Sequence, residues 1–104
     1  MPPQPAADKP AVSMMGGARL GLFNATWPLA RLTADRTTLK LSVLGKALVF
    51  SRESVLELIA MKGFITHGLQ IRHTDESYPS RIIFWTFSPS ALKSGLESIG
   101  WRVS

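Results

Sequence analysis

Residues 81–101 read RIIFWTFSPSALKSGLESIGW, and the change of period inside that stretch decides the fold class. Arg81–Phe87 is a β-branched and aromatic run, apolar on both faces, as a strand covered on two sides must be. Helix punctuation follows. Ser88 stands where an N-cap belongs, Pro89 takes the first helical position, where its missing N–H costs nothing, and Gly100 falls just past the end. Between them Leu92, Leu96 and Ile99 recur at i, i+4 and i+7 and form one apolar stripe. Trp101 and Val103, beyond the glycine, are expected to pack back onto the body, because large apolar side chains gain free energy by leaving water.

Working toward the N-terminus, every segment reads as strand or turn. Thr74–Ser80 is a polar loop containing Tyr78-Pro79, and before it Leu69, Ile71 and His73 alternate with Gln70 and Arg72. Lys62-Gly63 and His67-Gly68 bracket a connection. Over Ser51–Met61 two periods compete: Val55, Leu58 and Ile59 have helical spacing, whereas Leu56, Leu58 and Ala60 alternate. The flanking strands favour a short turn at Ser51–Ser54 followed by a strand. Leu39, Leu41 and Val43 oppose Lys40 and Ser42, and after a turn at Gly45-Lys46 Leu48 and Phe50 share a face, so residues 38–50 form a hairpin. Ala18–Ala34 reads as one long strand bent at Trp27-Pro28, or two strands meeting there, with the proline at an edge or bulge. Residues 1–17 hold Pro2, Pro3, Pro5, Pro10 and the Gly16-Gly17 pair, a composition expected of a disordered tail, which puts the folded domain at 18–104.

The expected architecture is therefore mainly β with one C-terminal α-helix, in a single small domain. At 104 residues such a chain buries roughly two thirds of its unfolded surface, with little left for a second lobe around a deep active site. The chain has no Cys, which excludes thiolate metal sites, cysteine nucleophiles and disulfides. No apolar run approaches bilayer length and no secretory core stands near the start, so a cytoplasmic location is expected. Twelve Lys and Arg against seven Asp and Glu give a net charge of +5, which favours polyanionic partners. The cations are nonetheless singletons, with no basic arm or polybasic anchor.

Chemistry-bearing patterns are few. His67 and His73, with Asp75 and Glu76 beyond them, lack the i, i+4 or i, i+2 spacing that presents two metal ligands together. There is no nucleophile elbow, no paired carboxylates on one evident face and no phosphate-cradling glycine loop ahead of a helix. Neither enzyme activity nor a metal or cofactor is expected.

The order of elements, six or seven antiparallel strands and then one helix, resembles the pleckstrin-homology-like (PH-like) superfold and its small bacterial GRAM-like members. The likeness covers about residues 18–103 and includes Phe23-Asn24-Ala25-Thr26-Trp27-Pro28, Gly68-Leu69-Gln70-Ile71-Arg72-His73, Ile82-Ile83-Phe84-Trp85 and the closing Gly100-Trp101. That resemblance implies a partial barrel of two bent sheets capped by the helix, and a non-enzymatic binding or scaffold module for a protein or an anionic ligand such as a lipid. The Lys-x-Arg signature that grips inositol phosphates on the first two strands is not present. Lys40, which points off the apolar face of its strand, with Lys46 and Arg52 at the ends of the next, are the candidate anion-binding residues. Ile83, Trp85 and Phe87 are the candidate interface, through which a homodimer would form. The alternative is a β-sheet surface for single-stranded nucleic acid, with Trp85 near Arg72 and Arg81; the usual aromatic motifs of such surfaces are absent.

Overall fold

The computed structural model describes residues 11–62 and 67–104. The chain is mainly β, a curled half-barrel of seven antiparallel strands with one C-terminal helix. The strands are β1 (Val12–Leu20), β2 (Phe23–Ala34), β3 (Thr38–Val43), β4 (Lys46–Ser51), β5 (Val55–Lys62), β6 (His67–His73) and β7 (Ile82–Thr86); the helix is α1 (Pro89–Ser98). Their order across the sheet is β4-β3-β2-β1-β7-β6-β5, so β1 joins a four-stranded meander to a three-stranded one.

The alternation anticipated in β3 and β4 is present: Leu39, Leu41, Val43, Leu48 and Phe50 are buried and Lys40 faces water. The segment read two ways resolves into a single 3-10 turn, Arg52–Ser54, followed by β5. Strand β7 lies between β1 and β6, and it is buried on both faces: Ile82 and Phe84 enter the core, and Ile83 on the other side is also shielded from water. Phe84 and Ile82 on its inner face meet Leu32, Leu41, Ile71 and Leu96 in one core.

Three boundaries differ from expectation, each for a tertiary reason. Strand β1 starts at Val12, inside the expected tail, and Val12–Gly17 supply six of its nine residues; residues 1–10 of that tail lie outside the described residues. Gly16-Gly17 is not a linker but the place where backbones crowd. A Cβ on Gly16 would lie 2.7 Å from Cζ of Phe84, and one on Gly17 would lie 2.7 Å from the Ala25 carbonyl oxygen. The first hairpin turns at Gly21-Leu22, where Gly21 has φ +64°, the positive value a type II′ turn asks of its first central residue. Trp27-Pro28, joined by a cis peptide, is instead an outward irregularity. From Gly16 to Ala18, β1 advances two residues while its partner positions on β2 run from Ala30 to Ala25. Finally, the β3–β4 turn is Leu44-Gly45 rather than Gly45-Lys46, with φ +50° and +86°.

Ser88 sits at the N-cap of α1, but its side chain makes no capping bond. Its N–H donates instead to Thr86 Oγ1 at 2.9 Å. At the other end the N–H of Trp101 reaches the Leu96 carbonyl and that of Gly100 the Glu97 carbonyl, a Schellman closure. Trp101 and Val103 are buried as anticipated. The indole Nε1–H donates to the Asp35 carbonyl at 2.7 Å, and Val103 forms a parallel bridge with Leu58 of β5.

The Asp35 carboxylate accepts the N–H groups of Thr37 (2.9 Å) and Thr38 (2.8 Å) and caps the β2–β3 turn. The Thr37 N–H is the main reason its pKa is lowered; slight desolvation opposes this, and the Thr38 N–H and Thr37 hydroxyl add to it. A folded-state value below the unfolded one contributes stability above the ordinary carboxylate range, and that contribution is lost as pH falls through the lowered value. Urea unfolding of Asp35→Asn is therefore expected to show a shallower loss of stability than wild type below about pH 4. Gly16→Ala is expected to cost about 1–3 kcal/mol in the same assay at neutral pH, because the new methyl has no space between Phe84 and the β7 backbone.

Candidate functional site

Helix α1 seals the end of the half-barrel where the Asp35 turn lies: Gly95 packs on Val12, and Trp101 reaches Asp35. The strands that leave this end finish at the opposite one, where the β1–β2 turn, the β3–β4 turn and the β6–β7 loop leave a groove of about 670 Å³. Its walls are largely apolar, from Leu20, Phe23, Val43, Leu48, Tyr78 and Pro79. Lys46 is the one charged side chain among the described residues lining it.

The β3–β4 turn puts Lys46 there. A two-residue turn pairs Val43 with Lys46, so both point to the inner face, which is open at this end. With positive φ at both central residues this turn is of the I′ kind, which is normally Asn-Gly or Gly-Gly. Here the first is Leu44, 57 % exposed and also in the groove lining. A leucine there carries a backbone penalty of about 1–2 kcal/mol with no burial to offset it.

The opposite wall is held by the β6–β7 loop. Asp75 accepts the Ser77 N–H (3.0 Å) and hydroxyl (2.6 Å). These bonds, the hydroxyl first, hold its carboxyl below the ordinary range against a little desolvation, with help from the His73 ring. His73 Nδ1 accepts the Asp75 N–H at 3.1 Å, leaving Nε2–H to donate to the Pro79 carbonyl at 2.8 Å. Both ring nitrogens are thus spent on shaping the loop, and His73 and Tyr78 stack about Phe50 with centroid distances of 4.9 and 5.2 Å. Tyr78 Oη accepts the Val49 N–H at 3.1 Å, tying the loop to the β4 edge.

The expected anion triad does not converge. Lys40 pairs with Thr33 and Val49 on the outer face, while Lys46 faces the groove. Arg52 lies six residues beyond Lys46, about 20 Å along the hairpin. Its guanidinium is already occupied: Nε donates to the Arg36 carbonyl (2.6 Å), Nη1 to Gly100 (2.9 Å) and Nη2 to Ile99 (3.4 Å), and the plane lies 4.2 Å from the Trp101 ring centroid. Arg52 therefore staples the helix C-terminus to the β2–β3 turn, and of the three candidates only Lys46 lines the groove.

The expected interface is likewise divided. Ile83 is 1 % exposed. Trp85 is half-buried, its ring lying across Gly68, where a Cβ would come within 2.9 Å of Cζ3. Phe87 is exposed and meets Trp27 edge-on at 6.2 Å, a partner not anticipated. Arg72 is paired with Glu57 at 2.9 Å rather than free beside Trp85. The groove residues Leu20, Phe23, Leu44, Tyr78 and Pro79 were not foreseen as a site. Leucine before glycine in a two-residue hairpin turn is the one sequence signal that could have marked them.

Among the described residues no three His, Asp or Glu side chains come together, and no helix is long and apolar enough to cross a membrane. Comparison of the chain with protein-family models, curated proteins and solved structures returns no match.

If Arg52 acts through its fork rather than its charge, Arg52→Lys is expected to lose about 2 kcal/mol of unfolding free energy, nearly as much as Arg52→Ala. Full retention of stability by the lysine variant, measured by urea denaturation, would contradict the staple.

Proposed function

We propose that this chain is a non-catalytic binding module of the PH-like kind, and that its ligand enters the groove opposite α1. The observation that carries the reading is the groove itself: apolar walls of small-molecule size with a single cation, Lys46, at the rim. That chemistry suits an amphipathic molecule with an apolar body and one anionic group, the body displacing water from Phe23, Leu48 and Tyr78 while the anion pairs with Lys46. One lysine is poor equipment for a polyphosphorylated headgroup, which needs several converging donors. The strand order and the helix closing one end support the PH-like likeness. Binding rather than catalysis is supported by what lies beside the groove: the Ser77 hydroxyl is committed to Asp75, the Tyr78 oxygen accepts a backbone N–H, and the His73 ring is used by the loop.

The strained turn fits this role. Leu44 is costly as a fold residue and useful as a greasy lip of the groove.

Titration with dodecyl phosphate, followed by backbone amide NMR shifts, tests the proposal. Shifts are expected in the β1–β2 turn, the β3–β4 turn and Ser77-Tyr78, with affinity at least tenfold weaker for Lys46→Glu and for dodecanol in place of the phosphate. Leu44→Asn is expected to bind more weakly yet unfold at about 1 kcal/mol higher free energy, since Asn tolerates positive φ. A parallel arm with phosphatidylglycerol vesicles separates a free ligand from a lipid in a bilayer. Shifts scattered over the sheet, or unchanged affinity in Lys46→Glu, would sink the assignment.

A further inference from the structure

The outer face of the sheet gathers cations that the sequence scatters. Cross-strand register places Arg31 opposite Met15 and Ser42, Lys40 opposite Thr33 and Val49, Arg19 opposite Asn24 and Ile83, and Arg72 opposite Glu57, all on the side away from the core. Among the described strand residues Glu57 is the one acid on that side, and it is spent on Arg72.

Aromatic rings run between these cations. Gly17 of β1, Trp85 of β7 and Gly68 of β6 form one cross-strand row. With no Cβ on Gly68, the Trp85 ring lies low across it instead of standing upright. At the other end of the row the Trp27 backbone passes over Gly17, where a Cβ would meet its nitrogen at 3.1 Å, and Trp27 and Phe87 are 52 % and 58 % exposed. Arg19 lies two residues along β1 from Gly17, and Arg31, through its partner Met15, two residues the other way, each about 7 Å from the aromatic row.

We infer that this outer face binds a single-stranded nucleic acid, its bases stacking on Trp27, Phe87 and Trp85 and its phosphates meeting Arg19 and Arg31. Rings with accessible faces between spaced guanidiniums match alternating bases and phosphates, whereas a duplex would offer phosphates but keep its bases stacked away. A second copy of the chain fits poorly, because a two-fold contact would set this cationic face against itself. The inference is independent of the groove, which opens on the other side of the sheet.

The test titrates the full chain with dT12 and with rU12 at 50 mM salt, reading tryptophan fluorescence. Quenching is expected, with affinity roughly tenfold weaker at 200 mM salt, and the stronger of the two arms names the nucleic acid. Trp27→Ala combined with Phe87→Ala, both exposed and so tolerated by the fold, is expected to weaken binding at least fivefold. Arg19→Ser and Arg31→Ser are each expected to flatten the salt dependence. Three results would each overturn the inference: no quenching by either oligonucleotide, a base-free heparin fragment binding as tightly as dT12, or a dimer by light scattering that Trp27→Ala dissociates.

Discussion

Strand β1 is hydrogen-bonded on both sides, to β2 along most of its length and to β7 over its last four residues, and the curl of the sheet depends on that double pairing. Among the described strands every other pairing is between neighbours in sequence; β1 with β7 is the pairing that joins the two meanders. The pairing is sterically narrow. Gly16 lies against the Phe84 ring and the β7 backbone, Gly17 against the β2 backbone, and neither leaves room for a methyl group. Glycine weakens a strand through its entropy and its missing side chain, so two in succession are tolerable only where the close approach they permit brings larger groups into contact. Here those groups are Phe84, fully buried at the centre of the core, and Trp85 on the other face of β7.

With the sheet closed at β1, the helix needs only to be pinned, and polar contacts do that as much as apolar ones. Leu92 and Leu96 give α1 its buried stripe, but its C-terminus is fixed by the Arg52 fork on the Ile99 and Gly100 carbonyls and by Trp101 reaching the Asp35 turn. Arg52 thus satisfies carbonyls that a helix end would otherwise leave to water. Its charge is also partly cancelled as a ligand-binding resource, which is why a cation well placed along the sequence is poorly placed as an anion receptor.

Much of the architecture was legible because local signals carried it. Strands β3 and β4 alternate cleanly, β7 is apolar on both faces, and Pro89 and Gly100 punctuate α1. What was hidden depends on neighbours far away in the chain. Gly16-Gly17 after a proline-rich stretch has the composition of a linker; only the partner strands reveal it as a contact. Pro28 is a stronger breaker than Gly21 on local grounds, yet the hairpin turns at Gly21 and the chain absorbs Pro28 as an irregularity. The candidate site was less legible still. Lys40 and Lys46 are both exposed and both close to the turn, but a two-residue hairpin sends them to opposite faces, so placing the turn one residue late was enough to misjudge their relation.

The edges of the sheet bear on where binding can occur. An open β edge is a ready template for another strand, and here each edge is met by another part of the chain. On β4 the Val49 N–H is taken by Tyr78, and on β5 Ser104 exchanges backbone bonds with Leu58 and Ala60. Strand addition by a partner would have to displace these contacts. The surfaces left for the proposed ligands are the groove that the turns leave open and the outer face that the strands share. Six of the twelve Lys and Arg side chains divide along the same line. Lys46 lines the groove, Arg52 is consumed as a staple, and Arg19, Arg31, Lys40 and Arg72 lie on the outer face, so the ligand proposed for the groove would be selected by apolar fit and the one proposed for the face by charge.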